Sequence, residues 1–258
     1  MTAVEGPSGA EVRGGARRSG GRRPRSPSGL TKVAAPPEGW KRKVAVGPDK
    51  RSWHPSPLLG QLVLVTTLNG DGTSNVAPKN WISYMAFDPS IIALGCSLRH
   101  RTARNILRSK EFVVNVPGED LADAVWAIGG LEHPRPVEST GLTPIPSARV
   151  GPPRIEECRA HVECVLDRKV LYGDEVVLLA RVVAASVDRE ALGRDDPYEY
   201  LRMLVFLEDG TYGTVRGARR VKGGGPAAAL TRPLASSGPS RSARCRARDP
   251  RGPGASRS

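Results

Sequence analysis

The chain lacks the features that mark several common classes of protein. Its most apolar run, Val176–Val187, is broken by Arg181 and falls well short of the roughly 20 residues that a membrane-spanning helix requires. No apolar segment follows the Arg-containing N-terminal residues, so no secretory signal is read there. Only four cysteines occur, Cys96, Cys158, Cys164 and Cys245, and their spacing fits neither a CxxC pair nor a zinc pattern. Reduced thiols in a cytoplasmic protein are the simplest expectation. The four histidines, His54, His100, His133 and His161, show no metal-ligand spacing. GxSxG, HExxH, P-loop and dinucleotide Gly-rich motifs are all missing. An enzyme built on this chain therefore needs a bound cofactor to supply the reactive group.

An excess of one sign of charge is also missing where a fold would form. The 258 residues carry a formal +13, which taken alone suggests a nucleic-acid or membrane partner. Residues 1–35 hold seven basic and two acidic residues, and residues 223–258 hold seven Arg and one Asp, which leaves only +2 for the middle. Aromatic residues make up 5% of the chain and do not interleave a basic face, so nucleic acid is disfavoured as a partner. Both ends are Gly/Pro/Ser/Arg mixtures that bury too little apolar surface to offset ordering entropy, and they read as disordered tails. Weak, salt-sensitive attraction to acidic surfaces is the alternative role for them.

Between the tails, residues 36–56 read as an extended, Pro- and charge-rich lead-in and residues 57–222 as the folded domain. "QLVLVTTL" (61–68) has the Val/Thr content of a buried strand. "NGDG" (69–72) is a tight-turn signal, and "TSNVAP" returns the chain as a second strand. "NWISYMAF" (80–87) and "IIALGCS" (91–97) follow as strands, the latter expected to be covered on both faces. A short helix over 103–109, the strand "EFVVNV" (111–116) and the helix "EDLADAVWAIGG" (119–130) come next. The last has apolar Leu121, Ala124, Val125 and Ile128 at helical spacing and an acidic first turn. After a Pro-rich excursion over 131–154, "CRAHVECVLDRKVLY", the turn "GDE" and "VVLLARVVAASVD" predict a long hairpin. "YLRMLVFL" (200–207) and "TYGTV" add two strands. The expected fold is mainly β: a closed or split antiparallel barrel with inserted helices.

Two stretches carry candidate chemistry. In "SLRHRTARNIL" (97–107) a buried strand ends, Arg99, His100, Arg101 and Arg104 crowd together, and Thr102 is placed to cap the following helix. A helix start with Arg forks beside it suits a single phosphate; an exposed turn whose arginines face water fits the spacing as well. In "NVAPKNWISYMAFDP" (75–89), Pro78 imposes an extended backbone on Ala77. Lys79, Asn80 and Ser83 interleave with Trp81, Ile82 and Tyr84. That pattern can line a flat heteroaromatic ligand, or be an ordinary edge strand.

The ordered set of segments resembles the flavin reductase-like, FMN-binding split-barrel family. A strand, a DG turn, "NVAP", "FDP", an apolar strand, a basic-Thr-x-x-Asn-Ile stretch and "EFVVNVP" occur in the family's order, over roughly residues 57–222. The resemblance implies a homodimeric split barrel holding FMN, with NADH or NADPH as co-substrate and, in some members, a partner oxygenase that receives reduced flavin. It implies that Asn80, Trp81 and Ser83 approach the ring and ribityl chain, that Cys96 and Ser97 sit beside the flavin, and that His100, Arg101 and Thr102 hold its phosphate. The flavin carries the chemistry, so no catalytic side chain and no metal are expected. Two departures stand out. Lys79-Asn80 replaces the usual aromatic or aliphatic residue and Ser, and the turn Gly173-Asp174-Glu175 lacks the His that often follows Gly-Asp in reductases. They bring in an alternative: an FMN-binding protein or partner subunit without its own reductase turnover.

Overall fold

The computed structural model describes residues 49–50, 53, 55–130, 135–208 and 210–219. Both tails and most of the lead-in lie outside these residues, as do His54, His133 and Cys245. Among the described residues no helix is long and apolar enough to cross a membrane.

The strands are β1 (Gly60–Gln61), β2 (Val63–Leu68), β3 (Ser74–Lys79), β4 (Ile82–Phe87), β5 (Ser90–Ser97), β6 (Glu111–Val116), β7 (Pro144–Ile145), β8 (Arg154–Ile155), β9 (Ala160–Tyr172), β10 (Glu175–Val187), β11 (Leu204–Glu208) and β12 (Thr211–Thr214). The helices are α1 (Arg101–Ser109), α2 (Ala122–Gly130), α3 (Arg189–Leu192) and α4 (Pro197–Leu201). Seven strands form one antiparallel sheet in the order β3-β2-β6-β9-β10-β5-β4. A second sheet, β1-β11-β12, adjoins it through the Leu62 N–H to Leu204 carbonyl bond of 2.9 Å.

The period-2 alternation of strand side chains explains how this sheet serves two cores. Val63 and Val65 of β2 pack in one cluster with Ile92 and Leu94 of β5, Phe112 and Val114 of β6, Val176 and Leu178 of β10, and Ala103 and Ile106 of α1. Strands β2 and β5 are four places apart in the sheet yet share this core, so the sheet curls into a barrel around it. Leu64, between the two valines, faces the opposite way into a second core with Val125 and Ile128 of α2 and Leu204 of β11. Strand β2 is thus buried on both faces, as its unbroken Val/Leu/Thr run predicts. The barrel stays split because β3 and β4 end the sheet without pairing to each other. Pro78 fits in β3 because an edge strand has no second ladder to donate to.

Three local expectations change. Strand β5 is covered on one face only: Ile92, Leu94 and Cys96 are buried, whereas Ile91, Ala93, Gly95 and Ser97 are half-exposed, Gly95 and Ser97 beside the cleft described below. "YLRMLVFL" is not one strand. Asp196 caps α4 by accepting from the N–H groups of Tyr198 and Glu199, Pro197 starts the helix, and Arg202 at φ 40° ends it before β11 begins. Helix α1 begins at Arg101 with His100 at the N-cap position, two residues earlier than the expected cap at Thr102. The turn closed by the His100 N–H to Ser97 carbonyl bond delivers the chain into the helix early. Replacing Asp196 by Ala should lower stability by about 1 kcal/mol, read as a shift of the chemical denaturation midpoint with an unchanged slope.

Candidate functional site

Strand β5, the β3–β4 connection and the start of α1 converge on one cleft of about 780 Å³. That volume lies within the roughly 300–1,000 Å³ typical of small-molecule and cofactor sites. Five of the sequence-selected residues line it: Asn80, Trp81, Cys96, Ser97 and His100. Each has a local reason to be there. Asn80 and Trp81 lie between two strands, where the Trp81 carbonyl accepts from Gly95 N–H at 2.8 Å. Gly95 lets Trp81 pack closely over β5, since a Cβ there would stand 3.1 Å from the indole and the ring would have to shift. Cys96 and Ser97 close β5, and His100 turns the chain into α1.

The other three expected residues sit elsewhere. Ser83 lines an adjoining cleft on the Leu58–Gly60 side of Trp81. Arg101 and Thr102 occupy the first turn of α1, immediately after His100. Thr102 is 1% exposed, and neither its Oγ1 nor the buried Nε of Arg101 has a hydrogen-bond partner. Asn75 of β3, fully buried, also has both side-chain polar atoms unpartnered. Unpaired buried polar atoms are costly, and here they collect on α1 and on β3, which α1 packs against. Arg99 is engaged elsewhere, in an exposed ion pair with Asp174 at 2.5 Å. Arg104 is exposed.

The cleft contains groups that were not chosen from the sequence. Lys79 Nζ lies 3.3 Å from His100 Nδ1, and Cys96 Sγ lies 3.6 Å from the same nitrogen. An ammonium can only donate, so Nδ1 accepts and the ring proton belongs on Nε2. Burial, Lys79 and Arg135 all hold the His100 pKa below its ordinary value. Burial lowers that of Lys79, with Arg135 adding to the effect and Cys96 opposing it. The Cys96 thiol is pushed up by burial, against the pull of Lys79 and of the Ala103 N–H. The shifts of His100 and Cys96 both favour their neutral forms at neutral pH, beside the Lys79 amino group in a partly dehydrated place. Glu175, opposite Ser97 in the β10–β5 ladder, puts a carboxylate on another wall. Lys50, Trp53 and Phe206 complete the lining. Among the described residues, no group of three His, Cys, Asp or Glu could hold a metal ion.

A sequence model described as "Flavin reductase like domain" matches residues 58–214. The chain belongs to the flavin reductase-like family. An uncharacterised protein of Pyrococcus abyssi is 30% identical over 134 residues, which cover 52% of this chain and 77% of that protein. Among solved structures, nitrilotriacetate monooxygenase component B from Bacillus cereus superposes with a TM-score of 0.62 at 23% identity, covering 69% of this chain and 98% of its own. An FMN-binding protein from Thermus thermophilus with bound p-hydroxybenzaldehyde gives 0.56 at 20% identity, covering 65% and 92%. At these identities the structural likenesses establish the flavin reductase split-barrel fold and nothing finer.

Proposed function

We propose that the chain binds FMN in the 780 Å³ cleft and acts as an oxidoreductase, taking hydride from NADH or NADPH and passing it to flavin, or through flavin to a small substrate. The observation that carries this reading is the start of α1. A buried hydroxyl on Thr102 and a buried guanidinium nitrogen on Arg101, both unpartnered, stand where a helix end favours an anion. When bound, FMN supplies the hydride chemistry. The chain's own residues bind and orient it. His100 lines the cleft, and Arg101 and Thr102, next in the chain and outside that lining, would reach the phosphate from the first turn of α1. Asn80, Trp81, Cys96 and Ser97 face the rest of the molecule, and Ser83 reaches it from the adjoining cleft.

Edge strand β4 exposes Tyr84 by 72% and Phe87 by 87%. An apolar edge of this kind calls for a cover, which supports a homodimer formed by a second copy. The three described cysteines are buried and free, in keeping with a reducing, cytoplasmic compartment.

One observation favours a second reading, an FMN-binding protein or partner subunit without its own turnover. Glu175 presents a carboxylate in the cleft wall, at the turn position where reductases of the family often carry a His. The Bacillus cereus neighbour's description as a monooxygenase component fits such a subunit serving an oxygenase. The purified protein should bind FMN and turn yellow, and it should oxidise NADH or NADPH when FMN is present. Binding without nucleotide oxidation selects the second reading. A protein with no affinity for FMN overturns both.

A further inference from the structure

A second pocket of about 400 Å³ adjoins the larger cleft and shares Pro78, Lys79, Asn80 and Phe206 with it. Its walls are apolar: Leu62, Val125, Trp126 and Phe206, with Pro78 facing Gly129 of α2. Trp126 is 60% exposed, an unusual state for an indole packed in a core and an ordinary one for a ring that forms the rim of a binding site. The turn after β11 lies along that ring, since a Cβ on Gly210 would touch it at 3.1 Å. Gly129 keeps the pocket open. Its own Cβ would already stand 3.5 Å from Pro78 Cγ, so any longer side chain enters the gap.

One charged residue borders this apolar space. Lys79 lines both the pocket and the larger cleft. Among the described residues its ammonium has no carboxylate partner, and its hydrogen bond goes to a histidine nitrogen. Arg135, whose guanidinium donates to the Gly129 carbonyl at 3.3 Å, is close enough to repel it. A half-buried ammonium with a cation beside it and no anion gains from a negatively charged ligand.

We infer that this pocket binds a small aromatic carboxylate, its ring between Trp126 and the Pro78–Gly129 wall and its carboxylate on Lys79. The binding does not require flavin. If FMN fills the larger cleft, Lys79 joins the two sites.

The test is calorimetric titration of benzoate and of benzyl alcohol into the full chain, without FMN and after saturation with FMN. Benzoate should bind at least about tenfold more tightly than benzyl alcohol, the scale of one charged hydrogen bond. Lys79→Met should erase that preference. Gly129→Leu should abolish binding of both compounds while FMN affinity stays within about twofold, since only the pocket is filled. Should Gly129→Leu not fold, Trp126→Ala, on the surface, should weaken both compounds equally. Equal affinity of the wild type for benzoate and benzyl alcohol overturns the inference. So does binding left at wild-type strength in the pocket variant that folds, or competition between benzoate and FMN. The FMN-free arm reads the pocket even if the flavin reading fails.

Discussion

Replacing Arg101 and Thr102 together by alanine is expected to weaken FMN binding about 100-fold and riboflavin binding by less than about threefold. Two charge-assisted hydrogen bonds to phosphate, counted at the lower end of their range, contribute about 3 kcal/mol, and each 1.4 kcal/mol is about a tenfold change. Only FMN carries the phosphate, so the ratio of the two affinities isolates the head of α1 from the ring contacts. The free protein should lose no more than about 1 kcal/mol from the Thr102 change, for the buried methyl group. Its buried Oγ1 has no partner to lose, and removing an unsatisfied hydroxyl costs little. Quenching of flavin fluorescence measures both affinities, and thermal unfolding checks that the variant is folded. Equal weakening of both ligands would show that the two residues act through folding and not through the phosphate.

The parts of the fold that were legible in the sequence are those determined by local chemistry. The Asn69–Gly72 turn, with Gly72 at φ 85°, the α2 helix and the long β9–β10 hairpin around Gly173 at φ 58° follow from turn residues and periodicity. The stretch from Asn80 to His100 was legible as a site because its polar and aromatic residues are close in the chain. Glu175 was not, because it enters the cleft only through the β10–β5 register that pairs it with Ser97. Phe206 arrives from still farther along the chain, and Trp53 from well before this stretch. Lys79 was visible as a departure from the family pattern, but its position against His100 depends on how β3 ends beside α1. The cap expected at Thr102 failed because Ser and Thr preference at helix starts is statistical; the preceding turn through Ser97 decided where the helix begins. Strand β5 looked covered on both faces because Ile, Ala, Leu and Gly are all apolar. Composition does not reveal that one face borders a cleft.

The largest stability effect should come from Glu163, outside the cleft. It is 0% exposed in β9, and its carboxylate accepts from Ala148 N–H at 2.7 Å, Arg149 N–H at 2.6 Å and Arg154 Nε at 2.7 Å. It thereby fastens the Pro-rich excursion to the barrel, together with the Thr66 hydroxyl that donates to the Pro153 carbonyl. Truncating it to alanine strands a partly buried arginine and two backbone N–H groups, so the expected loss is about 3–5 kcal/mol, or a fall in Tm of roughly 10 °C. The pH dependence follows from the same contacts. Burial pushes the Glu163 carboxyl up, but the hydrogen bonds from Ala148, Arg154 and Arg149 and the charge on Arg154 outweigh it, so the net shift is downward. A carboxylate with a depressed folded value stabilises fully above its unfolded value of about 4.3 and loses that contribution as pH falls through the folded one. Stability of the wild type should therefore drop below about pH 4 more steeply than that of Glu163→Gln, which keeps the shape of the side chain and cannot titrate. Denaturant midpoints measured from pH 3 to pH 7 read the difference. Parallel curves would mean that Arg154 and the two N–H groups find water instead. FMN affinity per folded molecule should be unchanged in both variants, because the anchor acts on the barrel wall away from the cleft that the flavin would enter.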